Sequence, residues 1–429
     1  MDLRTAHALV RFGLGRRGGE PTPADPAAWL AAQLAGRDPT AIEPRPSTAL
    51  GLAAVRHDRA TKPPPQESRS RALFRADAAA ELGAALTTDA PFRERLVWFW
   101  TNHFTVSLRH GGCAPLIGGF IEEAIRPNVT GRFADMLLAV MRHPAMLIYL
   151  DNARSIGPDS MAGQRTARGL NENLARECLE LHTVTPAAGY TQADVTSFAR
   201  VLTGWSVDLK ADLPGYRFRP LAHEPGTQTV LGRRFPEGEE GGEAALAFLG
   251  THPATYRSLA TKLARHFIAD EPPPAAVRHV AAALHDTGGN LGAAALALTR
   301  LDSAWIPHGK LRSPTDFVIA ALRAADPPAE RRPDLIGVLG GLGQPLWTAP
   351  LPNGWPDRAV DWASPDGMLR RIDWAHSFAA HAGDLEPADF AEASLGPLLS
   401  DATLLAIRRA GSRQDGLTIL FSSPEFQRR

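Results

Sequence analysis

The chain has 429 residues, 44% of them hydrophobic, and balances 46 basic against 46 acidic side chains. Such neutrality excludes the long-range field that gathers nucleic acid or an anionic membrane, so no nucleic-acid partner is expected. Its two cysteines, Cys113 and Cys178, exclude a disulfide framework.

No uncharged apolar stretch reaches about 18 residues, and Met1 to Gly15 lacks an apolar run of signal-peptide length. No membrane span and a cytoplasmic location are therefore expected, with export beside a partner left open. Only Lys62, Lys210, Lys262 and Lys310 are lysines; the arginine excess beside abundant alanine is what a GC-rich genome produces and is given no functional weight. Apolar residues recur at helical spacing in most segments and alternate in one. The expected class is mostly α: a single large multi-helix core over 1–325 with one small β-hairpin near 216–235, a Pro/Trp-rich irregular strap or lid over 326–375, and closing helices over 376–429 packed on the core.

In chain order, Met1 to Leu34 reads as a short helix, a Gly-rich turn and a second helix capped near Thr22 to Pro26. Gly13, Gly15 and Gly18 match a dinucleotide-binding pattern by letter, but no apolar strand precedes them. Asp38 to Ser68, with Pro63 to Pro65 in its middle, reads as a loop or mobile linker, and Ser70 to Leu86 as a long helix.

In Phe92 to Ser107, Phe92, Leu96, Phe99, Trp100 and His103 share a face, and His103 lies within about 20° of Leu96 at 100° per residue. A lone inward histidine is ordinarily satisfied by a backbone carbonyl. Helices follow over 117–125 and 133–150, the latter broken by Pro144, and then a polar loop over 151–167. Asp151 and Asn152 of that loop could join Asn171, Glu172 and Asn173 as oxygen ligands of a hard cation, though without EF-hand spacing.

The stretch from Gly169 to Trp205 carries the most regular pattern of ionisable residues. Leu170, Leu174, Cys178 and Leu181 define an apolar stripe that includes Glu177, with Glu172 and Arg176 on the far side as an i, i+4 ion pair. Glu177 is thus expected to be buried and to need a partner. Asn173 and Glu180 flank it, and His182 ends the helix. After a turn at Pro186 to Gly189, Thr191 caps a second helix with Asp194 at its third position.

At these residues the chain resembles a bacterial family known only as domain of unknown function 1800. The resemblance rests on Asn171-Glu172-Asn173, Ala175-Arg176-Glu177 with Leu179-Glu180-Leu181-His182-Thr183, Gly189-Tyr190-Thr191 and Leu202-Thr203-Gly204-Trp205, with Ala6-His7, Trp100 to Phe104, Tyr149 to Asn152 and Ser423 to Phe426 on either side. It implies a mostly helical fold and, as a partner, a sulfatase-like companion protein beside which members are often encoded. Where the family has His-Asp, this chain has His223-Glu224, a carboxylate one methylene longer.

Farther on, Tyr216, Phe218, Thr229 and Leu231 around Pro225-Gly226 suggest the hairpin. Lys262, on the border of a helix over 253–268, is a candidate counter-ion for a buried carboxylate. Trp347, Trp355 and Trp362 fall in Pro/Gly-rich sequence, on irregular backbone, as plugs of the core or as a platform over a pocket. No nucleophile elbow, Walker loop, His-Glu-x-x-His or Cys-x-x-Cys occurs.

Carboxylates and histidines on converging helices suit general acid–base chemistry or metal ligation. The functional expectation is a hydrolase or lyase acting on a polar, carbohydrate-like substrate. Its catalytic candidates are Glu177, His103, His182 and Glu180, and its substrate contacts Asn102, Asn173, Arg176, His223, Lys262, Trp205 and Trp355. The alternatives are a non-catalytic helical partner of the sulfatase-like companion, and an enzyme using a divalent metal held by Glu177, His182 and His103. His103 and Glu177 are expected to meet directly or through one water, and one tail tryptophan to border the pocket that Glu177 faces.

Overall fold

A computed structural model of the chain describes residues 1–40, 45–166, 169–382 and 385–429. Positions 41–44 of the expected linker, 167 of the expected loop and 383–384 of the closing helices lie outside the described residues. The fold is mostly α. Helix starts follow the capping residues: Asp25 accepts from the amides of Ala27 and Ala28 to open Pro26–Ala35 (α2), which follows the short first helix Leu3–His7 (α1). Thr48–Thr61 (α3) occupies the segment read as a linker, because Leu52 and Val55 bury against the core on the N-terminal side of the proline run. Asp58 of α3 then caps the next helix, Arg69–Thr87 (α4), through the amides of Arg69 and Ser70.

Pro91–His103 (α5) is the central helix. Ile117–Phe120 (α6) runs on into a π-turn at Ile121–Ile125, and Phe133–Arg142 (α7) and Pro144–Tyr149 (α8) are divided by Pro144. Asn173–Glu177 (α9) also widens into a π-turn, Cys178–His182, before Gln192–Val201 (α10), whose Thr191–Asp194 capping box is complete.

Two small antiparallel sheets replace the single hairpin expected over 216–235. Trp205–Asp208 (β1) pairs with Gly215–Phe218 (β2), and Gln228–Val230 (β3) with Arg233–Phe235 (β4). The alternation at Tyr216 and Phe218 was a true strand signal, but its partner lies N-terminal to it, where Trp205 and Val207 also alternate.

Glu239–Gly250 (α11), Pro253–Phe267 (α12), Pro274–Asp286 (α13) and Leu291–Thr299 (α14) complete the first part of the molecule, and Pro314–Ala325 (α15) begins the second. The strap is less irregular than its composition suggests. Leu335–Gly341 (α16) and Ala359–Trp362 (α17) are short helices within it, and Pro365–Ala379 (α18) starts before its expected end. Pro387–Leu395 (α19), Asp401–Arg408 (α20), Arg413–Ser422 (α21) and Pro424–Gln427 (α22) close the chain.

Buried apolar residues form two clusters instead of one core. The larger spans α2 to α14; the smaller joins Val10, Leu82 and Leu86 to α15 and α18–α22. Trp98 of α5 packs on both, so α5 lies at the seam between them. Close approach of α3 to the turn before α6 requires Gly51, where a Cβ would stand 2.0 Å from the Pro115 carbonyl oxygen. Backbone cannot yield as a side-chain tip can, so Gly51→Ala is expected to destabilise the protein by about 1–3 kcal/mol in denaturant unfolding. An unchanged midpoint would show that the two segments are free to separate.

Candidate functional site

The residues grouped by sequence do not converge as expected. Leu170 precedes the helix, so the stripe begins at Leu174. Counted from Leu174 at about 100° per residue, Ala175, Cys178 and Leu179 fill an arc of about 140° and Glu177 lies about 60° outside it. Glu177 is accordingly half-buried and Glu180 exposed. Burial and then the neighbouring Glu180 push the Glu177 carboxyl up, against Arg176. Arg176 binds Glu172 at 2.9 Å and Gln192 at 2.9 Å, while the amide of Asn173 donates to Asn171 Oδ1.

His103 is buried elsewhere and makes no hydrogen bond to Glu177 among the described residues. Its Nε2 donates to the His182 carbonyl at 3.2 Å and its Nδ1 accepts from Lys262 Nζ at 3.2 Å; Lys262 also donates to the Leu181 carbonyl at 2.7 Å. The physical reason is the π-turn after α9. The carbonyls of its last residues have no donor one turn on, and His103 and Lys262 satisfy those of His182 and Leu181. Lys262 therefore serves one carbonyl and an imidazole instead of a buried carboxylate. Burial, with Arg265 beside it, lowers its pKa to about 8.

The expected metal set fails for the same reason. The rings of His103 and His182 lie 5.8 Å apart but Glu177 does not join them, and no set of three metal-ligating side chains converges among the described residues. Asp151 pairs with His110 and Glu172 with Thr196, Gln192 and Arg176, so the two carboxylates expected to ligate a hard cation have other partners. His223 holds a turn, its Nδ1 on the Thr203 carbonyl and its Nε2 accepting from the Gly238 amide. Trp205 is fully buried beneath Arg142.

Asn102 and Trp355 do meet, on the other side of α5. Asn102 Nδ2 donates to the Trp355 carbonyl at 2.9 Å and its Oδ1 accepts from the Trp355 amide at 2.8 Å. Gly354, at φ 78°, permits this, since a Cβ there would stand 2.4 Å from the Asn102 carbonyl oxygen. Ser107 and the Leu108 amide hold the carbonyls of Ala349 and Trp347 in the same way.

The strap thus covers a cavity of about 160 Å³ against α5, whose Arg95, Trp98, Phe99 and Asn102 face it at i, i+3, i+4 and i+7. Trp347 and Trp355 wall it; Trp362, on a helix and outside the lining, does not, and neither does Glu177. The expectation of a tryptophan beside Glu177's pocket is overturned: the tryptophans border a different one.

A charged network forms one end of this cavity. His266 Nδ1 lies 2.9 Å from Asp357 Oδ2; Lys310 binds Asp270 and the Asp357 carbonyl; Arg95 binds Asp316 at 2.9 Å, with Arg429 3.2 Å from the same carboxylate. Burial dominates His266 and lowers its pKa to about 4 despite Asp357, leaving the ring neutral at pH 7. Burial works against the Asp357 carboxylate, but His266, Lys310 and Arg429 outweigh it and hold the pKa to about 2.

Glu81 also lines the cavity. A family model described as "Protein of unknown function (DUF1800)" matches residues 7–428. The chain belongs to this family. No curated protein and no solved structure matches it. Within this DUF1800 chain, the charged residues that converge on the cavity are ones outside the candidates drawn from sequence. Arg95 lies at the edge of the Phe92–Leu96–Phe99 stripe, and Asp77 and Glu81 stand one turn apart on the buried face of α4 with Ala78 and Leu82; inward charges at helical spacing were the available signal.

Asn102→Ala removes both bonds to the strap. It is expected to cost about 1–3 kcal/mol in denaturant unfolding and to speed proteolysis near Trp355; unchanged protease resistance would place the strap's anchor elsewhere. His7, His182 and His266 all have depressed folded pKa values, about 4, 3 and 4, chiefly through burial. The unfolded state then binds more protons below the ordinary histidine value near 6.5. The stability these rings contribute is present above that value and falls as pH is lowered toward 4, by about 1.4 kcal/mol per pH unit for each ring that titrates. Denaturant midpoints measured from pH 7 to 4 should drop with a slope exceeding one proton; a flat profile contradicts the burial.

Proposed function

We propose that the cavity between α5 and the strap is the working site of a hydrolase or lyase, with His266 as general base and Asp357 as the group that orients it. The observation that carries this reading is the 2.9 Å contact between Asp357 and a neutral, largely buried imidazole in the cavity wall. A carboxylate on Nδ1–H fixes the tautomer and leaves the lone pair on Nε2, which Arg429 Nη2 approaches to 3.4 Å and must release for the ring to act as a base. Such a base takes a proton from water or from an acidic C–H. Trp347 and Trp355 supply flat apolar faces on which the ring of a carbohydrate-like substrate stacks, and the unpartnered Oγ of Thr101 offers it a hydrogen bond.

General-base removal costs about 10²–10⁴ in rate. His266→Ala should therefore lower turnover of 4-nitrophenyl esters or glycosides by that order with the helical circular-dichroism signal intact, and Asp357→Asn should lower it less. The wild-type rate should fall as pH drops toward 4, where His266 takes up its proton. Full activity in His266→Ala, or no turnover by the wild type across both substrate classes, would sink the reading.

One observation favours the alternative of a helical partner for a sulfatase-like companion. Leu351, Val360, Leu369 and Ile372 are exposed apolar side chains, all in the strap and α18. Under that reading, Val360→Glu with Leu369→Glu abolishes co-purification with the companion and leaves His266 dispensable.

A further inference from the structure

Glu81 of α4 lines the same cavity, and only 4% of the residue is exposed. Oε2 is held by Arg126 Nη2 at 3.0 Å; Oε1 is buried in the cavity lining without a partner. Arg126 is shared. It also binds Glu94 at 2.6 Å, Glu122 at 2.7 Å and Asp38 at 3.2 Å. Arg93 reaches Asp38 at 3.8 Å, and Arg45, exposed, reaches Glu122 at 3.6 Å. Four carboxyls thus face three guanidinium groups, and this cluster is one cation short.

The remaining neighbours do not fill the deficit. Asp77, one turn back on α4 and packed against Gly118 of α6, adds another acid. Arg323 of α15 is taken up by the carbonyls of Ala85 and Leu86 at the end of α4. Arg95 is engaged by Asp316. In the empty site the missing charge is a proton. Burial pushes Glu81 well above the ordinary carboxylate range, against Arg126, with Glu94 and Glu122 adding to the rise. An unpaired buried carboxyl settles its charge in this way unless a cation arrives.

We propose that the α4 end of the cavity is a subsite for a protonated amine, whose ammonium group donates to Glu81 Oε1 while its apolar body lies along Leu82, Phe120 and Trp347. Aromatic faces beside an acid are what an organic ammonium selects, through cation–π attraction and burial of its carbon frame. Arg126 already occupies the centre of the four carboxyls, so the oxygen left for a cation is Oε1, which is buried without a partner and which a turn of the Glu81 side chain brings to the cavity this residue lines. A cavity of about 160 Å³ holds a single six-membered ring, as other apolar cavities near 150 Å³ hold benzene. On binding, the ammonium replaces the carboxyl proton: the amine enters charged, Glu81 becomes a carboxylate, and one proton leaves to solvent. The amine shares Trp347 and the single-ring volume with the proposed substrate site, so the two exclude one another, but its recognition by Glu81 does not call on His266.

Isothermal titration of the full-length protein with benzylamine, and with benzyl alcohol as its uncharged counterpart, tests this. In buffers of differing ionisation heat at pH 6 to 8, benzylamine should bind about tenfold or more tightly than the alcohol. It should release up to one proton and gain affinity as pH rises toward the raised pKa of Glu81. Glu81→Gln keeps the shape and a bond to Arg126, and should abolish both the preference and the proton release; His266→Ala should leave both intact. No benzylamine binding by the wild type, equal binding of the alcohol, binding without proton release, or unchanged binding in a folded Glu81→Gln variant would each overturn the proposal. The wild-type proton count stands even if the variant fails to fold.

Discussion

Arg11 donates to the carbonyls of Phe267, Ile268 and Ile306, Arg323 to those of Gly15, Ala85 and Leu86, Arg312 to Phe426, and Arg371 to Arg312. These bonds between buried guanidinium groups and main-chain oxygens hold the N-terminal segment, the end of α12 and the tail in one body. Many of the acceptors sit at helix ends or in irregular segments, where carbonyls lack an i+4 donor. A fold of many short helices has many such ends. Arginine answers them well because one side chain carries five donors in a plane. Burial lowers Arg11 and Arg312 to about 9 and Arg371 to about 10, so all three remain charged at neutral pH. The desolvation of Arg11 is offset by carbonyl dipoles, and that of Arg312 and Arg371 by the Asp316 carboxylate as well. Truncating one of these arginines would therefore leave several carbonyls unsatisfied at once.

The same principle explains what the sequence did and did not disclose. Helices α4, α5 and α12 are readable because an apolar face at 3.6-residue spacing is a local property. The arginines were set aside as compositional background, and wrongly so: which of them turn inward depends on carbonyls hundreds of positions away. Arg11 and Ile306 are separated by 295 residues. At the candidate site, Asn102 and Trp355 were singled out and do touch, but their shared cavity was assigned to Glu177. That error had one source, the inclusion of Leu170 in a helix that starts at Asn173. With Leu170 dropped, the edge of the apolar arc withdraws about 40° from Glu177, and no rule of spacing detects a π-turn in advance.

His103 shows how an inward ionisable group can mislead. Both it and Lys262 point into the core, and pairing them with a carboxylate was the economical guess. Main-chain oxygens freed at the end of α9 supplied the partners instead. Where titratable groups do face open space, at His266 and at Glu81, their surroundings push them in opposite directions, one to give up its proton and the other to keep it. That contrast, more than the number of polar residues, separates the cavity from the rest of the interior.

The clamp between Asn102 and Trp355 spans 253 positions. A ribosome adding about 5–20 residues per second releases α5 roughly 10 to 50 seconds before the strap that covers it. Throughout that interval the face bearing Trp98 and Phe99 lacks the cover that the strap later provides, although most of the larger cluster has already been made. The nascent chain therefore presents an aromatic surface of its own making for longer than helices take to form, which gives trigger-type chaperones a defined window and makes the speed of translation through the middle of the message part of what decides yield.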